Sequence, residues 1–108
     1  MTIMQGDSYT IYLNLTQSGD TLTPDLVDDL EVYIGETLRK TFSAGSVFFD
    51  AESGIWSIRP TQEETMALEE GSHEVTVRVK YKGQVQADVM GIVIGRIRVQ
   101  ACVSKEVL

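Results

Sequence analysis

The sequence of 108 residues predicts an all-β fold, an antiparallel β-sandwich of about seven or eight short strands with one short helix at a corner. Three observations carry that prediction. Apolar residues alternate with polar ones in several short runs, the period-two pattern of a strand with one buried face. Clusters of Gly, Asp, Ser, Thr and Pro separate those runs and read as turns. A helix-start signal occurs in "IRPTQEETMALEEGSHEVTVRVKYK", and its helical pattern lasts only about two turns before strict alternation resumes.

Taken in chain order, Tyr9, Ile11, Leu13 and Leu15 alternate with Thr10, Tyr12 and Asn14 and predict the first strand. "TQSGDTLTPD" is rich in turn formers and reads as a loop. Leu30, Val32 and Ile34 predict a second strand ending at Gly35, and "LRKTF" a short third after the "GET" turn. Val47, Phe48 and Phe49 lead into the "DAESG" turn, where Asp50 bonds backbone and Gly54 takes a positive φ. Ile55 to Arg59 predicts a strand with Trp56 and Ile58 on its buried side, Trp56 serving as a core anchor.

Thr61 and Glu64 then stand at capping-box spacing. The Thr hydroxyl accepts from the Glu64 amide, and the Glu64 carboxylate accepts from the Thr61 amide. Glu63 and Glu64 suit the positive end of a helix dipole, Met66 and Leu68 provide apolar contact, and Gly71 is expected to end the helix. So short a helix is unstable alone and must be pinned by packing. Thr61, Glu64, Leu68 and Gly71 are therefore expected to build a structural corner between two sheets.

Val75, Val77, Val79 and Tyr81 alternate with Glu74, Thr76, Arg78 and Lys80 in the clearest strand of the chain. "KGQ" turns it back. A last strand region runs from about Gln86 to Val103, with Val89, Gly91, Val93, Gly95, Ile97, Val99, Ala101 and Val103 on one parity and a bend expected near Gly95. The G-x-x-x-G spacing of Gly91 and Gly95 also occurs in membrane helix pairs, but alternation and the neighbouring Arg96 and Arg98 oppose that reading. Many short strands with frequent turns predict immunoglobulin-like topology within the sandwich class, and the length fits one domain spanning residues 1–108.

Composition narrows the function classes. Apolar residues at 43% and charged residues at 23% are ordinary for a globular domain and argue against disorder. Nine basic against sixteen acidic residues give a formal charge of −7, which opposes non-specific nucleic-acid binding. The opening "MTIMQGDSYTIYLNL" lacks a basic n-region and a long apolar core, so neither a signal peptide nor membrane insertion is expected. The single cysteine, Cys102, cannot form an internal disulfide, which suits a reducing cytoplasm, and it reads as a small strand residue.

Chemistry-bearing constellations are sparse, so no enzyme activity and no cofactor are expected. The one histidine, His73, reads as a corner residue packing on the helix or bonding a backbone carbonyl. Neither a phosphate loop nor a nucleophile elbow is present. Asp25, Asp28, Asp29, Glu31 and Glu36 lie close in sequence and raise the question of Ca²⁺, without EF-hand spacing; solvation or backbone capping is the simpler role.

Charge patterning points to interaction instead. The bases begin only at Arg39. If the strands around Val77 and Val99 pair, Arg78, Lys80, Arg96 and Arg98 share an outward face, while residues 20–36 with Asp25, Asp28 and Asp29 make an acidic patch. One account is cross-strand pairing within the monomer, through Glu31 or Glu74. The other is complementarity between protomers, with homo-oligomer formation.

The stretch from Pro60 to Arg78 resembles a motif of small β-sandwich proteins of tailed phages and prophages of Gram-positive bacteria. The matching residues are Thr61-Gln62-Glu63-Glu64-Thr65, Leu68, Gly71 and the V-x-V-R-V strand. "QGDSYTIYLNL" is similar to the first strand of phage immunoglobulin-like modules, such as the N-terminal domain of baseplate upper proteins. Arg59-Pro60 before the motif departs from the usual pattern and leaves the strand end open. The resemblance implies a structural or tail-associated phage protein, made in the host cytoplasm, joining a virion and contacting other phage structural proteins. An alternative is a carbohydrate- or ligand-binding adhesin-like module, for which Tyr12 and Tyr33 on the polar parity are the candidate aromatics.

Overall fold

The computed structural model describes residues 1–8, 10–17, 19–82 and 89–102. Tyr9, the 83–88 connection including most of "KGQ", Val103 and Lys105 lie outside the described residues. The protein is mostly β, with two sheets sharing one core, compatible with the expected sandwich.

Ten strands occur among the described residues: β1 (Thr2–Met4), β2 (Ile11–Leu13), β3 (Thr16–Gln17), β4 (Asp20–Thr21), β5 (Val27–Ile34), β6 (Leu38–Thr41), β7 (Val47–Asp50), β8 (Ile55–Ile58), β9 (Gly71–Tyr81) and β10 (Val89–Gln100). Helix α1 is Gln62–Met66, and Pro24–Leu26 form a 3₁₀ turn. The larger sheet has the order β1-β10-β9-β5-β6 and the smaller one β2-β8-β7. Pairing is antiparallel except that β1 runs parallel to β10, so the larger sheet is mixed rather than antiparallel throughout.

Alternation in the sequence becomes the core directly. Leu30, Val32 and Ile34 are fully buried, and Val75, Val77 and Val79 line up beside them on β9. From the smaller sheet come Ile11, Leu13, Val47, Trp56 and Ile58. Each such side chain stabilises the fold by about 1.5–3 kcal/mol relative to exposure. Trp56 is completely buried, Phe42 meets its ring edge-on at 5.4 Å, and Phe49 is tilted against it at 4.9 Å. The indole Nε1 donates to the Leu22 carbonyl at 2.8 Å, so the anchor's polar atom is satisfied.

Four expectations need correction. The loop after β2 contains a minimal hairpin, β3–β4, and the 3₁₀ turn, because buried Leu15 and Leu22 join the core and the Leu22 amide donates to Leu15 at 2.9 Å. Helix α1 stops at Met66 with Ala67 as its C-cap. Gly71, expected to end the helix, instead opens β9 at φ 128. The single parity assigned to the last strand also fails. The β9–β10 register shifts between Val93 and Gly95, so Ile94 is an extra residue. Val93 therefore faces outward, 52% exposed, while Ile97 and Val99 are buried; Ala101 lies beyond the strand and is exposed.

Candidate interaction surface

The corner begins with the capping box. Thr61 Oγ1 accepts from the Glu64 amide at 3.2 Å, and Glu64 Oε1 accepts from the Thr61 amide at 2.9 Å. Glu64 also receives Lys40 Nζ, 2.7 Å from each carboxylate oxygen. Lys40 pairs in register with buried Val32, so it lies on the inward parity of β6, an edge strand. An inward charge on an edge strand discourages pairing with another chain. The acidic turn thus supplies the counter-charge for a lysine that cannot turn outward. Burial opposes ionisation of Glu64, but the hydrogen bond from Lys40 and the Thr61 amide hold its carboxyl below the ordinary value.

Thr65 and Gln5, which the sequence reading did not select, complete this corner. Thr65 is buried; its hydroxyl donates to the Asp7 carbonyl at 2.7 Å and accepts from the Gly6 amide at 3.1 Å. Gln5 Nε2 donates to the carbonyl of fully buried Leu68 at 2.8 Å. Their signal in the sequence is weak, because both tie the corner segment Thr65–Leu68 to residues about sixty positions away. His73 Nε2 lies 2.6 Å from the Glu69 carbonyl oxygen, the backbone contact expected of it. Its ring also abuts the β5–β6 turn: a Cβ at Gly35, where φ is 57, would come within 2.8 Å of Nδ1.

The outer face of the larger sheet carries the basic residues. Register places Glu74 opposite Arg96 and Ser72 opposite Arg98, on the same side as Arg78 and Lys80, so these four bases share one face. Acids are interleaved with them. Glu31 accepts from Arg39 at 2.7 Å and lies 3.7 Å from Arg78, and Arg96 pairs with Glu74 at 3.2 Å. The Tyr33 hydroxyl donates to Glu31 at 2.7 Å; this bond foremost, with Arg39 assisting, lowers the Glu31 pKa against the opposing effect of burial. Lys80 and Arg98 have no ion-pair partner among the described residues.

The acidic residues disperse. Asp29 lies opposite Lys80, yet its carboxylate accepts from the Ser43 amide and hydroxyl, at 3.0 and 2.9 Å, and from the Leu30 amide at 2.8 Å. It caps a turn. Asp28 sits exposed at the β5 irregularity. Asp25 accepts from the Thr23 hydroxyl and shares a surface depression with Glu52 of the β7–β8 turn. Glu36 is exposed in the β5–β6 turn. Among the described residues no three potential metal ligands gather.

No family model matches this chain, and no curated protein or solved structure matches it.

The surfaces themselves therefore carry the functional argument. Tyr12 and Tyr33, paired as candidate ligand aromatics, occupy the outer faces of different sheets. Tyr12, 72% exposed, shares its face with Phe48, because both lie opposite Ser57. Arg59 stacks over Phe48, its guanidinium carbon 4.0 Å from the ring centroid. No helix of the described residues is long and apolar enough to cross a membrane.

Proposed function

We propose that this chain is an immunoglobulin-like module serving as a non-enzymatic structural or tail-associated protein of a phage or prophage, acting by protein–protein contact. The strand order supports the topological part. The first strand runs parallel to the last in a sheet that also holds the hairpin β5–β6, and β2, β8 and β7 form the opposing sheet. That is the arrangement expected when an immunoglobulin-like chain moves its first strand to the last one's edge. The phage assignment rests on the resemblance of the Pro60–Arg78 stretch and the opening strand.

The observation that carries contact as the mode of action is the outer face of the larger sheet, an array of cross-strand charges on an acidic molecule. Such faces steer and orient docking. The test is to induce phage particles from a strain carrying the gene, purify them on a density gradient and probe for this chain. Its presence at fixed stoichiometry with the other virion proteins is expected; particles lacking it would overturn the reading.

A second reading, a carbohydrate- or ligand-binding module, is favoured by the Tyr12–Ser57–Phe48 row. Binding on a glycan array that Tyr12→Ala abolishes would support it.

A further inference from the structure

Charge is segregated over this fold more sharply than its net value indicates. The described part of the larger sheet's outer face holds Arg39, Arg78, Lys80, Arg96 and Arg98, five of the chain's nine basic residues, against Asp29, Glu31 and Glu74 of its sixteen acidic ones, with Asp28 exposed at the β5 irregularity on its margin. This face is therefore positive on a molecule of formal charge −7. The depression formed by the 3₁₀ turn and the β7–β8 turn presents exposed Asp25 and Glu52. The Thr23 hydroxyl foremost, with the residue's own amide and the nearby Lys82 ammonium, holds Asp25 below the ordinary carboxylate range, so it is ionised at neutral pH. Glu52 adds a second carboxylate, which that one base does not fully neutralise.

We infer that the outer face of the larger sheet docks the acidic Asp25–Glu52 end of a second copy of this chain, a head-to-tail contact led by Lys80 and Arg98. This rests on the reading of the protein as an assembly module and names one of its partners. The partner is assigned by charge complementarity. The face offers cations without partners among the described residues, and the same chain offers exposed carboxylates on a different surface. Because the two patches differ, the contact is heterologous and leaves both unused at the ends of a dimer, so it propagates to a ring or a filament according to the rotation per step. Opposite charges across a contact also reject the like-charged approach of two basic faces.

The test is sedimentation velocity of the full chain at about 20 mM and about 500 mM salt, conditions that span weak and strong screening. Wild-type protein should sediment as oligomers at low salt and as monomer at high salt. Lys80→Glu/Arg98→Glu and Asp25→Lys/Glu52→Lys should each be monomeric alone at low salt, and an equimolar mixture of the two should recover a species of at least twice the monomer mass. Trp56 fluorescence checks that each variant is folded, and the neutral pair Lys80→Gln/Arg98→Gln replaces a charge reversal that is not. A monomer at both salts, an oligomer indifferent to salt, or a mixture that stays monomeric overturns the inference. The particle experiment stands apart: the chain found in virions but monomeric in solution would remove self-docking alone, whereas salt-sensitive oligomers with chain-free particles would remove the phage reading.

Discussion

Glu64 holds two positions at once, since its carboxylate closes the capping box and neutralises Lys40. The two functions separate by substitution. Thr61→Ala removes only the cap and should cost about 1 kcal/mol. Glu64→Ala also leaves the Lys40 ammonium, whose side chain is 15% exposed, without its partner, and should cost about 2 kcal/mol or more. Chemical denaturation followed through Trp56, the single tryptophan, measures both. Equal losses would deny Glu64 its second role. Acid supplies an independent check. The folded pKa of Glu64 lies below its ordinary 4.5, so its contribution is complete above that pH and is lost as the pH falls through the lower folded value. The stability gap between wild type and Glu64→Gln should therefore be constant near neutrality and narrow below about pH 4.5. Thr61 and Glu64 were legible because capping is local. Lys40 was not, since nothing in "LRKTF" says that a lysine on the buried parity will find a carboxylate twenty-four positions later.

At the scale of elements, β10 shows where periodicity succeeds and where it breaks. The expected bend near Gly95 is a bulge, but its consequence for facing was the reverse of a single parity. Ile94 is the extra residue, so the alternation on its two sides is out of phase, and Val93 and Ile97 point to opposite faces. Deleting Ile94 should let β10 pair with β9 without a bulge and keep every other residue on its present face. The deletion variant is expected to unfold cooperatively with a loss of no more than about 1 kcal/mol, because the isoleucine removed is exposed. Loss of folding would show that the bulge itself is required. A bulge is hard to read in advance because a period-two pattern tolerates one inserted residue wherever its side chain can be placed. Alternating strands such as β5 and β9 contain no such ambiguity over Leu30 to Ile34 and Val75 to Val79.

For the whole molecule, one core joins both sheets through Trp56, which contacts Phe42 beyond the end of β6 and Phe49 on β7. Neither sheet can leave without exposing that ring. Unfolding monitored by Trp56 fluorescence and by far-ultraviolet circular dichroism should therefore give coincident transitions. Separate midpoints would mean that the smaller sheet detaches first.

Period-two hydrophobicity, turn residues and the Thr61–Glu64 spacing determined the β class, the principal strands and the capped corner, because each is a relation between residues a few positions apart. Which strands became neighbours was decided only in three dimensions. So were the parallel docking of β1 on β10, the pairing of Glu64 with Lys40, the grouping of Tyr12 with Phe48 and the gathering of bases on one face. These depend on register between distant segments, and register is set by how two buried faces fit together, a quantity that no local pattern contains.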